Sequence, residues 1–151
     1  MDLQIEDFYK DVAGGLLMLY QAFPRKTTLY VEDLIGHEEP DEFGLPSKRH
    51  QGCLGALLWL AEEGYVRFES TIQFQAIDQA VLTEKAFLRL TGSVVDAKAA
   101  ASGLPPSVLR VQTSLAQQLR EALRGGHGEQ LARLVRMLFE SPLSGAPEQA
   151  T

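Results

Sequence analysis

The stretch from Pro46 to Glu69, PSKRHQGCLGALLWLAEEGYVRFE, constrains the fold more than any other part of the chain. Ser47 is a suitable N-cap for a helix, and Gly64 stands where a helix commonly ends in a left-handed residue. The apolar residues between them recur at helical spacing. The β-rich residues YVRF follow directly. The stretch therefore predicts a helix that ends near Glu63 and delivers the chain straight into a strand.

The segment before this stretch predicts a long helix, a short strand and a short helix. Apolar side chains from Leu3 to Phe23 form one continuous helical stripe, which Pro24 ends. Gly14 and Gly15 lie inside it, where each weakens a helix by about 1 kcal/mol. The two glycines indicate either close approach by another backbone or simple tolerance. TTLYV then predicts the strand, and VEDLIG predicts the short helix.

The segment after this stretch predicts two strands, YVRFESTIQF and AIDQAVL, and a helix, TEKAFLRL, capped by Thr83. A joint rich in Gly, Ala, Ser and Pro follows. SVLRVQTSLAQQLREALR and GEQLARLVRMLFE predict two amphipathic helices, and SPLSGAPEQAT predicts a disordered polar tail. We therefore expect a mainly α fold with a small antiparallel β-hairpin (α+β). Its parts are a core over residues 1–92, a helical extension over 93–141 and a tail over 142–151.

Composition limits the class of protein. The chain has 151 residues, 45% hydrophobic and 23% charged, which is ordinary globular usage and enough to bury a core without a disulfide or a metal. The single cysteine, Cys53, fits a reducing compartment. The acidic start of the chain differs from a signal peptide, and the longest apolar runs are too short to span a bilayer. These features predict a soluble, cytoplasmic protein of bacterial type with no membrane partner.

Three stretches together resemble the winged helix-turn-helix family: TTLYVEDLIG, LGALLWLAEEGYVRFE and AVLTEKAFLRL. The order helix, strand, helix, helix, two strands, helix is similar to that of the family. LTEKA resembles the LTEKG-like start of the helix after the wing, with Ala86 replacing the usual glycine. The resemblance covers Phe8 to Leu90. It implies a winged-helix domain with a C-terminal extension, in which the third helix enters the DNA major groove and the wing contacts flanking backbone.

The first turn of the third helix favours DNA binding. Lys48 and Arg49 lie where recognition helices contact bases or phosphates, and the helix dipole gives cations no stabilising role there. Further phosphate contacts would come from Arg25, Lys26 and Arg67. The net charge of −6 counts against this reading, as does the wing from Glu69 to Gln79, which carries no Lys or Arg. A DNA-binding, transcriptional-regulator-like protein is the first functional hypothesis.

The later turns of the same helix favour a protein contact. At about 100° per residue, the predicted core face holds His50, Leu54, Leu57, Leu58 and Ala61. The opposite face then presents Gly52, Gly55, Ala56 and Trp59. These small residues let the helix either sink into a DNA groove or pack closely against another helix, of this chain or of a partner. An exposed Trp is typical of a contact surface. The second hypothesis is a winged-helix protein-interaction module that does not bind DNA.

No catalytic, nucleotide-binding or zinc motif is present, so we expect a non-enzymatic protein without a metal or another cofactor. The loop HEEPDE, from His37 to Glu42, offers one imidazole and several carboxylates, but charge runs of this kind are usually solvated. We interpret His50 as a packed, hydrogen-bonded core residue. We interpret Cys53 as a small buried hydrophobe, with a thiolate stabilised by Arg49 left open as the alternative.

Each C-terminal helix carries one apolar stripe that needs a surface to cover it. An antiparallel pair of helices alone would leave apolar area exposed. Docking on the winged core or on a second copy of the chain would cover it. We expect a homodimer built at least partly by these helices. The stripe residues are Val108, Val111, Leu115, Leu119 and Leu123 on one helix and Leu131, Leu134, Val135 and Leu138 on the other.

Overall fold

The computed structural model describes residues 2–94 and 103–140. Over these ranges the chain is mainly helical, with seven helices and a small antiparallel sheet of four strands. Residues 95–102 of the predicted joint and the predicted polar tail lie outside the described residues. In chain order the elements are α1 (Leu3–Ala22), β1 (Thr27–Tyr30), α2 (Val31–Ile35), α3 (Lys48–Glu62), β2 (Val66–Arg67), β3 (Ser70–Ile72), β4 (Ala76–Leu82), α4 (Glu84–Thr91), α5 (Pro106–Thr113), α6 (Leu115–Gly125) and α7 (Gly128–Glu140).

The predicted helix boundaries around α3 and α4 are confirmed by their caps. Ser47 Oγ accepts the backbone N–H of His50 at the start of α3, and Thr83 Oγ1 accepts that of Ala86 at the start of α4. Gly64 has a φ of 84°, the left-handed conformation that favours glycine. It ends α3 and turns the chain into β2, as the sequence predicted.

The sheet is built around β4. Ile77 of β4 is paired with β1 on one side and with β3 on the other, all antiparallel. β2 follows the same edge as β3 and pairs Val66 with Leu82. The segment predicted as one strand, YVRFESTIQF, is therefore two short strands separated at Phe68 and Glu69. β3 and β4 form a hairpin whose tip holds Phe74.

Gly14 and Gly15 make room for leucine side chains, not for another backbone. A Cβ on Gly15 would lie 2.9 Å from Leu57 Cδ2, and a Cβ on Gly14 would lie 3.2 Å from Leu34 Cδ2. These leucines belong to α3 and α2. The glycine pair therefore lets both elements pack closely on α1, which forms the centre of the core.

The C-terminal helices differ from the prediction in one respect: the segment expected as one helix is broken at Ser114 into α5 and α6. Ser114 has an extended backbone, and its Oγ accepts the backbone N–H of Gln117 as the N-cap of α6. The break is stabilised by distant backbone groups. Leu115 N donates to Gly92 O at 2.9 Å, and Val94 N donates to Thr113 O at 2.6 Å.

The C-terminal helices dock on the rest of the same chain. α6 and α7 pack against α1, and α4 contacts both. Arg89 of α4 donates to the carbonyl oxygens of Leu138 at 2.9 Å and Phe139 at 3.3 Å, near the C-terminal end of α7. This docking covers most of the apolar stripes, whereas Val108 and Val111 of α5 stay exposed. The homodimer and the division into domains stay predictions. The buried stripe residues are Leu115, Leu119, Leu131, Leu134, Val135 and Leu138.

Candidate functional site

The buried face of α3 is broader than the predicted one. Ala56, expected on the outer face, is buried, whereas Leu58 and Ala61, expected in the core, are half-buried. This corrects the prediction, and the reason is that neighbouring elements cover both flanks of the helix. Gly52 and Gly55 do lie on the exposed face, where a Cβ on either would meet nothing within 4 Å. The exposed strip of α3 therefore holds Gly52 and Gly55 together with the polar side chains of Lys48, Gln51 and Glu62.

Trp59 packs inside the chain. Its ring centroid lies 5.3 Å from that of Phe8 in α1 and 5.2 Å from that of Phe139 in α7, both in edge-to-face geometry. The ring of Tyr65 is stacked on that of Trp59, with 6.5 Å between the ring centroids. Trp59 is half-buried by these neighbours. The aromatic contact that the sequence left open between this chain and a partner is therefore made by the C-terminal helix of this chain.

Arg49 is engaged inside the protein, whereas the sequence predicted a DNA contact. Its guanidinium donates to both carboxylate oxygens of Asp11 at 2.7 Å, and its Nε lies 3.6 Å from Asp7 Oδ2. Asp11 is only 3% exposed. The hydrogen bond to Asp11 raises the pKa of Arg49. Arg49 ties α3 to α1, and a phosphate could recruit it only by leaving a buried carboxylate unpaired.

The other four predicted DNA contacts lie near two different ends of the sheet. Lys26 pairs with Glu69 at 3.2 Å. Arg25, next to Lys26, and Arg67 lie at the base of the sheet, away from the hairpin tip. Lys48 lies at the start of α3, whose His50 contacts that tip. The side chains of Lys48, Arg25 and Arg67 are exposed and form no hydrogen bond or ion pair with a residue that the structure describes.

Three exposed apolar side chains lie on the two segments that enclose a cavity near the start of α3, where the sequence predicted no site. Phe43, Phe74 and Leu45 are 79%, 62% and 53% exposed. A cavity of about 220 Å³ lies between the α2–α3 loop and the hairpin tip, and its lining includes Phe74 and Gly44. Phe43 and Leu45 are the neighbours of Gly44 in the chain. We name these three side chains the apolar patch and this space the loop–hairpin cavity. The cavity is lined by Glu32, His37, Glu38, Pro40, Gly44, Pro46, His50, Gln73, Phe74 and Gln75.

Hydrogen bonds hold both sides of this cavity in place. Asp41 Oδ1 accepts the backbone N–H of Phe43 at 2.9 Å and that of Leu45 at 2.8 Å, which fixes a tight turn. His50 Nε2 donates to the carbonyl oxygen of Phe74 at 2.6 Å, which fastens the hairpin tip to α3. His50 is therefore a buried, hydrogen-bonded residue, as predicted. The patch is presented on a backbone that is already ordered.

Acidic residues lie at and next to this cavity: Glu32 and Glu38 line it, and the others are close to them in the chain. Residues 32–42 include six Asp or Glu residues and no Lys or Arg. His37 bridges two of them, with Nδ1 at 3.0 Å from Glu32 Oε2 and Nε2 at 3.0 Å from Glu39 Oε2. These bonds raise the pKa of His37. In the described ranges, no group of three or more His, Cys, Asp or Glu side chains is arranged to hold a metal ion.

Cys53 is fully buried on the inner side of α3. Burial is the main cause that raises the pKa of its thiol to about 12; the charge of Asp11 acts in the same direction, and that of Arg49 opposes it. Arg49 was the residue that could have stabilised a thiolate, but it is bound to Asp11. The thiol is therefore protonated at neutral pH, which supports the reading of Cys53 as a small buried hydrophobe.

No family model, curated protein or solved structure matches the chain. Within residues 2–94 and 103–140, no helix has the length and apolar character needed to cross a membrane. The function must therefore be inferred from the geometry of the protein's own side chains.

Proposed function

We propose that the chain is a non-enzymatic winged-helix protein-interaction module that uses the apolar patch and the exposed strip of α3 to bind another protein. The element order from α1 to α4, with the β3–β4 hairpin in the place of a wing, supports the winged-helix assignment. One observation carries the function. Where a DNA-binding winged helix presents cations, this hairpin presents Phe74 between Gln73 and Gln75.

Charge supports protein binding over DNA binding. A surface that grips DNA concentrates cations, because each neutralised phosphate releases counterions. Arg49 is bound to Asp11, and the loop leading to Lys48 carries four acidic residues, Glu38, Glu39, Asp41 and Glu42, with Glu32 and Asp33 preceding them in α2. This acidic loop would repel the phosphate backbone that Lys48 was expected to contact. Exposed aromatic side chains at a fixed turn are instead typical of protein contacts.

A comparison of captured proteins tests the proposal. Wild-type protein and the double variant Phe43→Ser/Phe74→Ser would be immobilised, and the proteins each retains from a lysate of the native organism would be quantified by mass spectrometry. The matched control is Leu3→Ser, which removes an exposed apolar side chain on α1, outside the cavity. We expect a partner that the double variant loses and the control keeps. Equal capture by all three proteins would contradict the proposed surface.

DNA binding by a transcriptional-regulator-like protein remains the second candidate, because Lys48, Arg25 and Arg67 are exposed and unpaired among the described residues. Fluorescence anisotropy with a labelled random-sequence duplex, at about 50 and about 200 mM salt, separates the two functions. Lys48→Ala is the informative variant, since changing Arg49 would also unpair Asp11. We expect no binding. Binding that salt weakens by orders of magnitude and that Lys48→Ala reduces would favour the DNA function.

A homodimer through the C-terminal helices would use the surface that they leave exposed. A groove of about 860 Å³ lies between α1 and α7, and its lining includes Tyr9, Met137 and charges of both signs. Two copies could pair those charges reciprocally across a two-fold axis. Light scattering at tens of micromolar protein tests this proposal. A dimer mass that Met137→Glu converts to a monomer mass would support it, and a wild-type monomer would contradict it.

A further inference from the structure

The size of the loop–hairpin cavity limits what it can hold. Its volume of about 220 Å³ lies below the range of roughly 300–1,000 Å³ typical of small-molecule pockets. Pro40, Pro46 and Phe74 give it apolar walls, and the exposed Phe43 is next in the chain to Gly44, which also lines it. A space of this size and lining fits one apolar side chain that is carried by a longer segment lying across the patch.

The free carboxylates at and near the cavity indicate which charge such a segment should carry. Glu32 and Glu39 are bound to His37, and Asp41 is bound to backbone N–H groups. Two carboxylates of the loop form no hydrogen bond or ion pair with a described residue: that of Glu38, which lines the cavity, and that of Glu42, next to Phe43 in the chain. A segment with Lys or Arg beside its apolar side chain would complement these carboxylates, whereas an acidic segment or a nucleic acid would be repelled.

The order already present in the site favours the binding of a short segment. The turn around Asp41 and the bond from His50 to Phe74 hold the two walls before any partner arrives. Less conformational entropy is then lost on binding, which matters most for a small contact.

We infer that the loop–hairpin cavity binds a basic peptide segment of a partner protein, with one apolar side chain in the cavity and Lys or Arg residues against Glu38, which lines the cavity, and the nearby loop residue Glu42. The inference rests on the proposed function, since it names the partner chemistry of the same surface. Its site differs from that of an ordinary winged helix that binds DNA: the contacts lie between the hairpin tip and the α2–α3 loop, and the required charge is of the opposite sign.

Selection from a random peptide library displayed on phage tests the inference. Wild-type protein is the bait, and phage that also bind Phe43→Ser/Phe74→Ser are removed. The best peptide is then synthesised, and its affinity is measured by fluorescence anisotropy. Besides the patch variant, the acid variant Glu38→Gln/Glu42→Gln is compared. The matched controls are Leu3→Ser and Glu84→Gln, which change an exposed apolar and an exposed acidic residue outside both the cavity and α3.

We expect selected peptides with an apolar residue flanked by Lys or Arg. Affinity should fall by about tenfold or more in the patch variant, since truncation of a central aromatic contact commonly has that effect. It should fall several-fold in the acid variant and on raising the salt from about 50 to about 200 mM, because exposed charges are screened. The two controls should bind like wild type.

Selected peptides that are neutral or acidic, or whose affinity is unchanged in Glu38→Gln/Glu42→Gln, would overturn the inference. So would a selection that yields no peptide specific for wild type over the patch variant. The proposed function fails separately, through equal capture of proteins by wild type and patch variant or through salt-sensitive DNA binding. If a captured partner requires the patch but has no basic segment, the proposed function is supported and only the inference is wrong.

Discussion

At the scale of single residues, the buried carboxylate of Asp11 binds Arg49 and gives it a structural role. We expect Arg49→Ala to lower the free energy of unfolding by about 3 kcal/mol, because it leaves a carboxylate that is 3% exposed without its cation. Lys48→Ala, at the exposed neighbouring position, should change it by less than about 0.5 kcal/mol. Urea unfolding followed by Trp59 fluorescence measures both. Similar small losses in the two variants would show that the ion pair contributes little.

The sequence predicted which residues are buried better than it predicted which residues they contact. The helical period placed His50 and Leu57 in the core, and both are buried. The helical period could not predict that Arg49 binds Asp11, because Asp11 is 38 residues away and contacts Arg49 only when α1 packs on α3. A signal was present in the sequence: Asp11 adjoins the apolar stripe of the first helix. An acid in that place indicates a buried partner of opposite charge.

At the scale of elements, the packing of α1 on α3 depends on Gly15. An alanine there would gain roughly 1 kcal/mol of helix propensity, but its Cβ would lie 2.9 Å from Leu57 Cδ2 in a close-packed core. We expect a net loss of about 1 kcal/mol in Gly15→Ala. Gly14→Ala is the matched control. Its Cβ would lie 3.2 Å from the half-buried Leu34, so this substitution should be better tolerated. Thermal unfolding by circular dichroism compares them, and a stabilised Gly15→Ala would contradict this account.

The α2–α3 loop should respond to pH through His37. Its pKa is raised from 6.5 by hydrogen bonds to Glu32 and Glu39 and by the charges of those residues. The bridge therefore contributes fully below about pH 6.5, and its contribution is lost as the pH rises through the higher folded-state pKa. NMR titration of the His37 ring should show the raised pKa, and Glu39→Gln should lower it. Glu42→Gln, which removes a carboxylate that does not bond to His37, should lower it less. A pKa unaffected by Glu39→Gln would exclude the bridge.

Elements defined by local signals were predictable, and those defined by distant contacts were not. The caps at Ser47 and Thr83 and the glycine stop at Gly64 act within one turn, and all three were predicted correctly. The break at Ser114 depends on the hydrogen bond from Leu115 N to Gly92 O, across the joint, so the helical pattern alone concealed it. The loop–hairpin cavity was missed for the same reason. Its two walls are distant in the chain, and His50 bonds to Phe74, 24 residues away, beside the α2–α3 loop.

At the scale of the whole molecule, the C-terminal helices should unfold together with the sheet and α1. Leu138 of α7 is fully buried, and the neighbouring Phe139 contacts Trp59 of α3. We expect Leu138→Ala to lower the free energy of unfolding by about 2–5 kcal/mol, the usual range for a buried leucine. The exposed Val111 of α5 gives the control, Val111→Ala, which should lose less than about 1 kcal/mol.

Two probes of urea unfolding distinguish one cooperative unit from two. Circular dichroism follows all the helices, whereas Trp59 fluorescence follows the contact between α3 and α7. The two transitions should coincide in wild type and shift together in Leu138→Ala, because Arg89 and the aromatic cluster join α7 to α4, α3 and α1. A fluorescence change that precedes the main loss of helix would instead mean that α7 detaches first. The C-terminal helices would then be an appendage that a partner could displace, and the aromatic cluster around Trp59 would become a second surface for binding.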